Sequence, residues 1–142
     1  MNPNLKFIGY IETPYENIGD CPRNIQLDGP ECKLVLNKEY EAGLNGIVAG
    51  QEILILYWFV NVDRNRLQQT SKRTGEFAGV FALRTPNRPN PIGAAVIKIK
   101  KLKGHEIFVK GLDCLNGTPL IDIKPAIFEE RVDTNSPNQF FK

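Results

Sequence analysis

EILILYWFVNV, Glu52 to Val62, is the stretch that decides the fold. Its Ile, Leu, Tyr, Trp, Phe and Val side chains are those that fit a pleated sheet, and its eleven residues are rich in β-branched and aromatic types. The run predicts a central strand, buried on both faces. Working outward toward the N-terminus, Lys38 to Leu44 is compatible with one or two helical turns before Gly46. Lys33 to Leu36 is a short strand candidate. Tyr15 to Pro30 is polar and turn-rich and reads as a long loop. Leu5, Phe7, Gly9 and Ile11 alternate with other residues as an opening strand that stops at Thr13-Pro14. Toward the C-terminus, Asn61 to Gly75 is a long polar and basic connection, a kind of segment more often functional than idle. Phe77 to Leu83 and Ala94 to Leu102 are further strands. Glu106 to Leu112 returns from a hairpin turn at Lys103-Gly104, and Leu120 to Ile123 is a last short strand. Six or more strands with frequent Gly and Pro punctuation predict a mainly β fold. The expected form is a small single-domain β-barrel over residues 1–142, with one short helix and long connecting loops, because closure removes exposed strand edges.

Composition narrows the class. A chain of 142 residues, 42% hydrophobic and 24% charged, is one domain with a real core, so disorder and fibrous repeats are excluded. The apolar run Ile53 to Val62 is half of the ~20 residues a membrane-spanning helix needs. The start MNPNLKFIGYIETPYE has no basic flank, apolar stretch and small-residue cleavage site in series. Cys21, Cys32 and Cys114 are odd in number and lack CxxC spacing, and His105 is the single histidine, which argues against both a zinc site and a disulfide framework. The expectation is a cytoplasmic domain with reduced thiols and no metal or membrane partner.

The net charge of +2 conceals an asymmetry. Eleven bases and two acids fall between Arg64 and Lys110, leaving that segment at +9 and the remainder at −7. Such a stretch suits a phosphate-facing surface, whereas the alternate lysines of Lys98 to Lys103 equally suit the solvated side of a strand.

Three segments carry possible chemistry. FAGVFALRTPNRPNPIG, Phe77 to Gly93, holds Pro86, Pro89 and Pro91, which fix φ and remove backbone donors. The result is a preset loop presenting Arg84, Thr85, Asn87, Arg88 and Asn90. It reads either as a ligand-holding loop or as a stiffened crossover whose arginines bond backbone carbonyls. LNGTPLIDIKP, Leu115 to Pro125, combines an Asn116-Gly117 turn with Asp122 and Lys124, which share a face of an extended segment and can pair. CPRNIQ, Cys21 to Gln26, puts Arg23, Asn24 and Gln26 in the first long loop.

Together with IGYIETPY, EYEAGLNGI and ILYWF, these segments resemble the TsaA-like (TrmO-type) family of S-adenosylmethionine-dependent tRNA methyltransferases, over about nine tenths of the chain. The resemblance implies a small β-barrel unlike the doubly wound methyltransferase fold. It also implies S-adenosyl-L-methionine bound near a homodimer interface, and methylation of the exocyclic nitrogen of threonylcarbamoyl-adenosine beside the tRNA anticodon. Carried over by motif, the cofactor-binding positions are Pro22, Arg23, Asn24, Val60, Asn61, Arg84, Ala94, Leu115, Asn116, Gly117 and Thr118. The chain departs from the family pattern at Val60, where a histidine is usual, at Asn116, where the turn usually has Asp, and at Ala126, an aromatic position. Longer bacterial members add a C-terminal domain.

Methyl transfer from a sulfonium to nitrogen disperses charge, so alignment of donor and acceptor, worth up to about 7–11 kcal/mol, is the main demand on the protein. With one histidine no Ser-His-Asp grouping exists. Asp122 is the candidate base. The tRNA is expected along Arg64, Arg66, Lys72, Arg73 and Arg88, with Gln68 and Gln69 suited to base edges. A same-fold methyltransferase acting on a small molecule or another RNA, and a non-catalytic RNA-binding barrel, are the alternatives.

Overall fold

The computed structural model describes residues 3–127 of the chain, so residues 128–142 of the expected 1–142 domain lie outside the described residues. Nine strands run in the order β1 (Gly9–Glu12), β2 (Glu31–Leu36), β3 (Glu52–Trp58), β4 (Gln68–Thr70), β5 (Phe77–Gly79), β6 (Ile92–Lys98), β7 (Lys101–Lys103), β8 (Glu106–Lys110) and β9 (Thr118–Pro125). Helix among the described residues is confined to 3₁₀ turns, at Ile18–Asp20, Lys38–Leu44 and Val80–Ala82. Seven strands form one sheet in the order β6-β3-β9-β1-β2-β8-β7, and β4 pairs with β5 in a separate ribbon. Every pairing is antiparallel.

The expected closed barrel is corrected. The sheet is open, because its two outer strands, β6 and β7, are not paired with each other. They are consecutive parts of one segment, which Ala94 to Leu102 had suggested as a single strand. The break comes at Ile99 and Lys100: the Ile99 amide donates to Gln51 O (2.9 Å), while the next amide, Lys100, donates to Phe108 O on β8 (2.8 Å). One segment therefore serves both sheet edges by bending, and no ladder is needed between them.

The reading of Glu52 to Val62 is corrected in the same way. β3 ends at Trp58 and lies between β6 and β9, but its burial alternates: Ile53, Ile55 and Tyr57 are buried while Leu54, Leu56 and Trp58 are half-buried. A one-sided sheet requires only one apolar face per strand. The core on that face gathers Ile11, Leu34, Leu36, Ile53, Ile55, Ile97, Ile107, Val109, Leu112 and Leu120. Each such side chain contributes about 1.5–3 kcal/mol by leaving water.

Other differences have local causes. The opening strand begins at Gly9, since only from there does the chain pair with β2 and β9 together. Gln68–Thr70, inside the expected connection, pairs with β5. Phe77 to Leu83 is strand only to Gly79 and then turns through 3₁₀ geometry. β9 is longer than Leu120 to Ile123 and slips register beside Leu56 and Tyr57, so that Leu56 faces Asp122 and Tyr57 faces Leu120. The hairpin of β7 and β8 forms, but its turn is Gly104-His105, so that Lys103 belongs to β7 opposite Glu106, and β8 stops at Lys110 before Gly111 turns at φ +77.

Gly111, just after β8, has φ +77 and lies so close to Gln26 that an added Cβ would collide with the Gln26 carbonyl. The Gln26 amide donates to Gly111 O at 2.9 Å, which fixes the 21–30 loop against the end of β8.

Candidate functional site: an arginine-lined cleft

A cleft of about 610 Å³ opens over the ends of β3 and β6. Its walls come from five places that the fold brings together. Arg23, Asn24 and Ile25 arrive with the loop that Gly111 pins. Tyr57 and Phe59 come from the end of β3, and Gly93 to Val96 from β6 opposite. Arg84 and Arg88 come from the proline loop, and Asp113 from the segment after β8.

The proline loop is held by side chains rather than by a ladder. Arg88 Nη1 donates to the carbonyls of Leu83 (3.1 Å) and Thr85 (3.0 Å), and its Nη2 to Val80 (3.1 Å). Arg84 Nη2 donates to Ala94 O at 2.9 Å. Thr85 Oγ1 bonds Gln69 Oε1 (3.1 Å), Asn87 Oδ1 accepts the Asp63 amide (3.0 Å), and Arg64 Nε donates to Pro89 O (2.8 Å). Of the two sequence readings of this loop, the carbonyl-bonding crossover describes Arg88. Arg84 is exposed and makes one such bond, so most of its donors face the cleft or solvent.

Aromatic rings form the base of the cleft. Tyr57 and Phe59 meet edge to face with centroids 5.3 Å apart, and Gly93 lies against both. A Cβ at Gly93 would fall 2.7 Å from each ring, so glycine is what allows β6 to approach. Tyr57 is 2% exposed and its hydroxyl donates to Asp113 Oδ1 at 3.0 Å. Burial pushes the Tyr57 hydroxyl well above the ordinary phenol value, and the Asp113 carboxylate adds to that. Burial also raises the Asp113 carboxyl, while the Tyr57 hydrogen bond and the Arg84 charge act against the rise. The cleft thus holds a half-buried carboxylate among three arginines. Spacing did not reveal this pair, because 56 residues separate its members; the Asp three residues before Asn116 was the available signal.

The remaining sequence-derived positions are placed as follows. Arg23, Asn24, Arg84 and Ala94 line the cleft together, with Pro22 next to Arg23. Val60 and Asn61 are exposed just beyond Phe59, and Asn61 has φ +58, a left-handed conformation that asparagine tolerates. Leu115 to Thr118 form a turn that is not among the cleft-lining residues. Asn116 Oδ1 accepts the Thr13 amide (3.2 Å), the Gly117 amide donates to Ile11 O (2.8 Å), and Thr118 Oγ1 donates to Leu115 O (2.7 Å). Asp122 pairs with Lys124 at 2.8 Å, as their spacing suggested, and it too lies outside the cleft lining. Among the bases, Arg64 also stacks 5.1 Å from the Trp58 ring, and Arg66 lies 3.6 Å from Asp63. Lys72 and Arg73 are exposed at the tip of the β4–β5 ribbon. The thiols are free; burial pushes Cys114 up to about 12 and raises Cys32 and Cys21, so they are poor nucleophiles.

The cleft's guanidinium groups and aromatic base are the chemistry that suits a small anionic or zwitterionic ligand. The chain belongs to the tRNA-methyltransferase O N-terminal domain family, whose model matches residues 10–134. It is 42% identical over 122 residues to a probable S-adenosyl-L-methionine-binding protein, VirR, of Rhizobium radiobacter, covering 86% of this chain and 70% of that protein. It is 31% identical over 130 residues to the human tRNA (adenine(37)-N6)-methyltransferase, covering 86% of this chain and 30% of the human one. The crystal structure of TrmO from Pseudomonas aeruginosa superposes with a TM-score of 0.74 at 28% identity, covering 89% of this chain and 56% of that one. The chain thus spans little more than half of that solved relative and less than a third of the human one.

Proposed function

We propose that the chain binds S-adenosyl-L-methionine in the arginine-lined cleft and methylates the exocyclic nitrogen of threonylcarbamoyl-adenosine in tRNA. The observation that carries this reading is the convergence of Arg23, Asn24, Arg84 and Ala94 on one cleft. The residues fit the group. Guanidinium donors at Arg23 and Arg84 suit an amino-acid carboxylate, and Tyr57 and Phe59 with Ile92, Ala94 and Val96 suit a purine. When bound, the donor supplies an electrophilic methyl on a sulfonium. This chain's contribution is alignment and exclusion of water, with the proline loop held rigid by Arg88. The names of the human and Rhizobium relatives support the reaction and the donor.

The acceptor tRNA approaches along the exposed Lys72 and Arg73 of the β4–β5 ribbon, which joins the proline loop through Thr85 and Gln69. The active species is a homodimer acting in the cytoplasm. Leu67, Phe77 and Phe81, which are 63%, 67% and 78% exposed on and beside this ribbon, supply the apolar surface for the second copy.

Calorimetric titration with S-adenosylmethionine tests the binding, and nucleoside mass spectrometry of tRNA from cells with and without the gene tests the reaction. Micromolar binding and a nucleoside lighter by one methyl group in the deleted strain are expected. Donor binding without any change in tRNA nucleosides would instead favour a small-molecule acceptor, a reading that Val60 in place of the usual histidine supports.

A further inference from the structure

We infer that Asp113, held by Tyr57, is the proton acceptor for the attacking nitrogen, an inference that rests on the methyl-transfer reading above. Among the residues lining the cleft, Asp113 is the sole carboxylate. Its Oδ1 accepts the Tyr57 hydroxyl at 3.0 Å, which holds the group at the cleft wall, and a carboxylate has further lone pairs to take a proton. Asp122, the carboxylate that the sequence suggested, is paired with Lys124 outside the cleft lining.

The chemistry requires such a group. As the nitrogen–carbon bond forms, the carbon–sulfur bond breaks and its electron pair stays on sulfur, giving a neutral thioether. The nitrogen, which would otherwise be left cationic, passes its proton to the Asp113 carboxylate, and the proton later leaves to water. A carboxylate raised by burial is a better base than an exposed one. The titratable and charged groups around it are Tyr57 on β3, Arg84 and Arg88 on the proline loop, Arg23 and Cys21 on the first loop, and Cys114 beside it. Tyr57 and Arg84 both favour the ionised form, which keeps the base available.

The test compares wild type, Asp113→Asn and Tyr57→Phe in donor titration calorimetry, in single-turnover methylation of tRNA purified from the deleted strain, and in a carboxyl-carbon NMR titration without ligand. Asp113→Asn is expected to lower the methylation rate by about 10²–10⁴-fold, with donor affinity within threefold of wild type. Wild-type rates should fall as pH drops through the Asp113 pKa. Because Tyr57→Phe removes a hydrogen bond to the charged form, its acid limb and its Asp113 carboxyl titration should both move to higher pH. An Asp113→Asn protein that methylates within threefold of wild type overturns the inference. So does a tenfold loss of donor affinity in that variant, or a Tyr57→Phe acid limb that stays in place. Should Asp113→Asn fail to fold, the Tyr57→Phe profiles decide alone. Absence of donor binding in the wild type would instead overturn the methyl-transfer reading itself.

Discussion

Nη2 of Arg84 donates to the carbonyl oxygen of Ala94 at 2.9 Å, and both residues line the same cleft. The bond ties the proline loop to β6 at the point where the ligand is proposed to enter. Arg84 is exposed, so loss of this hydrogen bond costs little stability, at the low end of about 0.5–1.5 kcal/mol. Arg84→Ala is therefore expected to weaken S-adenosylmethionine binding at least tenfold by calorimetry, while thermal melting shifts by no more than a few degrees.

Arg88 should behave in the opposite way. Its guanidinium serves the carbonyls of Val80, Leu83 and Thr85, of which Val80 O also accepts the Leu83 amide at 3.2 Å. Arg88→Ala is expected to lower unfolding free energy by about 2–3 kcal/mol in urea titration, because part-buried acceptors lose their donor. Arg88→Lys should recover less than half, since an ammonium cannot span the same fork.

Gly93→Ala tests the packing of β6 on the aromatic base. The added methyl meets Tyr57 and Phe59 at once, and overpacking of this kind costs about 1–3 kcal/mol. A lower melting temperature together with weaker donor binding is expected.

For tRNA, Lys72→Ala with Arg73→Ala is the informative pair, because Arg64 and Arg66 also hold the loop through Pro89, Trp58 and Asp63. The double variant should bind tRNA more weakly, with a salt slope shallower by about 1–2 and donor affinity intact. Adding Arg64→Ala and Arg66→Ala should remove tRNA affinity further and also lower the melting temperature.

Light scattering tests the dimer. Wild type is expected at twice the 16.0 kDa chain mass, and Leu67→Asp with Phe81→Asp at the single-chain mass.

Much of this architecture was legible in residues whose type constrains the backbone. Pro86, Pro89 and Pro91 announced a rigid loop, and alternation exposed the β7–β8 hairpin and the core side of β3 once one-sided burial was known. Gln68–Thr70 was hidden because a polar ribbon strand has no apolar pattern to read. The bend at Ile99 and Lys100 is marked by the consecutive Lys100 and Lys101, which interrupt the alternation of Ile97 and Ile99 before Leu102, a signal too short to separate one strand from two. At the site, Arg23, Asn24, Arg84 and Ala94 were found by motif. Tyr57 and Asp113 were not, since their contact is set by the packing of β3 against the segment after β8 and leaves no mark in local spacing. Arg88 could be read as a phosphate contact only while its carbonyl partners were unknown.

The position of β9 between β3 and β1 governs the order in which the chain can assemble on the ribosome. β1, β2, β7 and β8 can pair among themselves, and β3 can pair with β6, before residue 118 is synthesised. Among the described residues no strand ladder joins these two half-sheets until β9 emerges and inserts, with Ile53 meeting Pro125 across 72 residues of chain. Such distant closure is slow compared with hairpin formation, and the unpaired edges of β3 and β1 stay open meanwhile. The cleft has the same dependence: Tyr57 and Gly93 belong to one half-sheet, Arg23 and Asp113 to the connections of the other. The cleft therefore gains its full set of walls only once β9 is in place, and the open edges of β3 and β1 are exposed to mispairing until then.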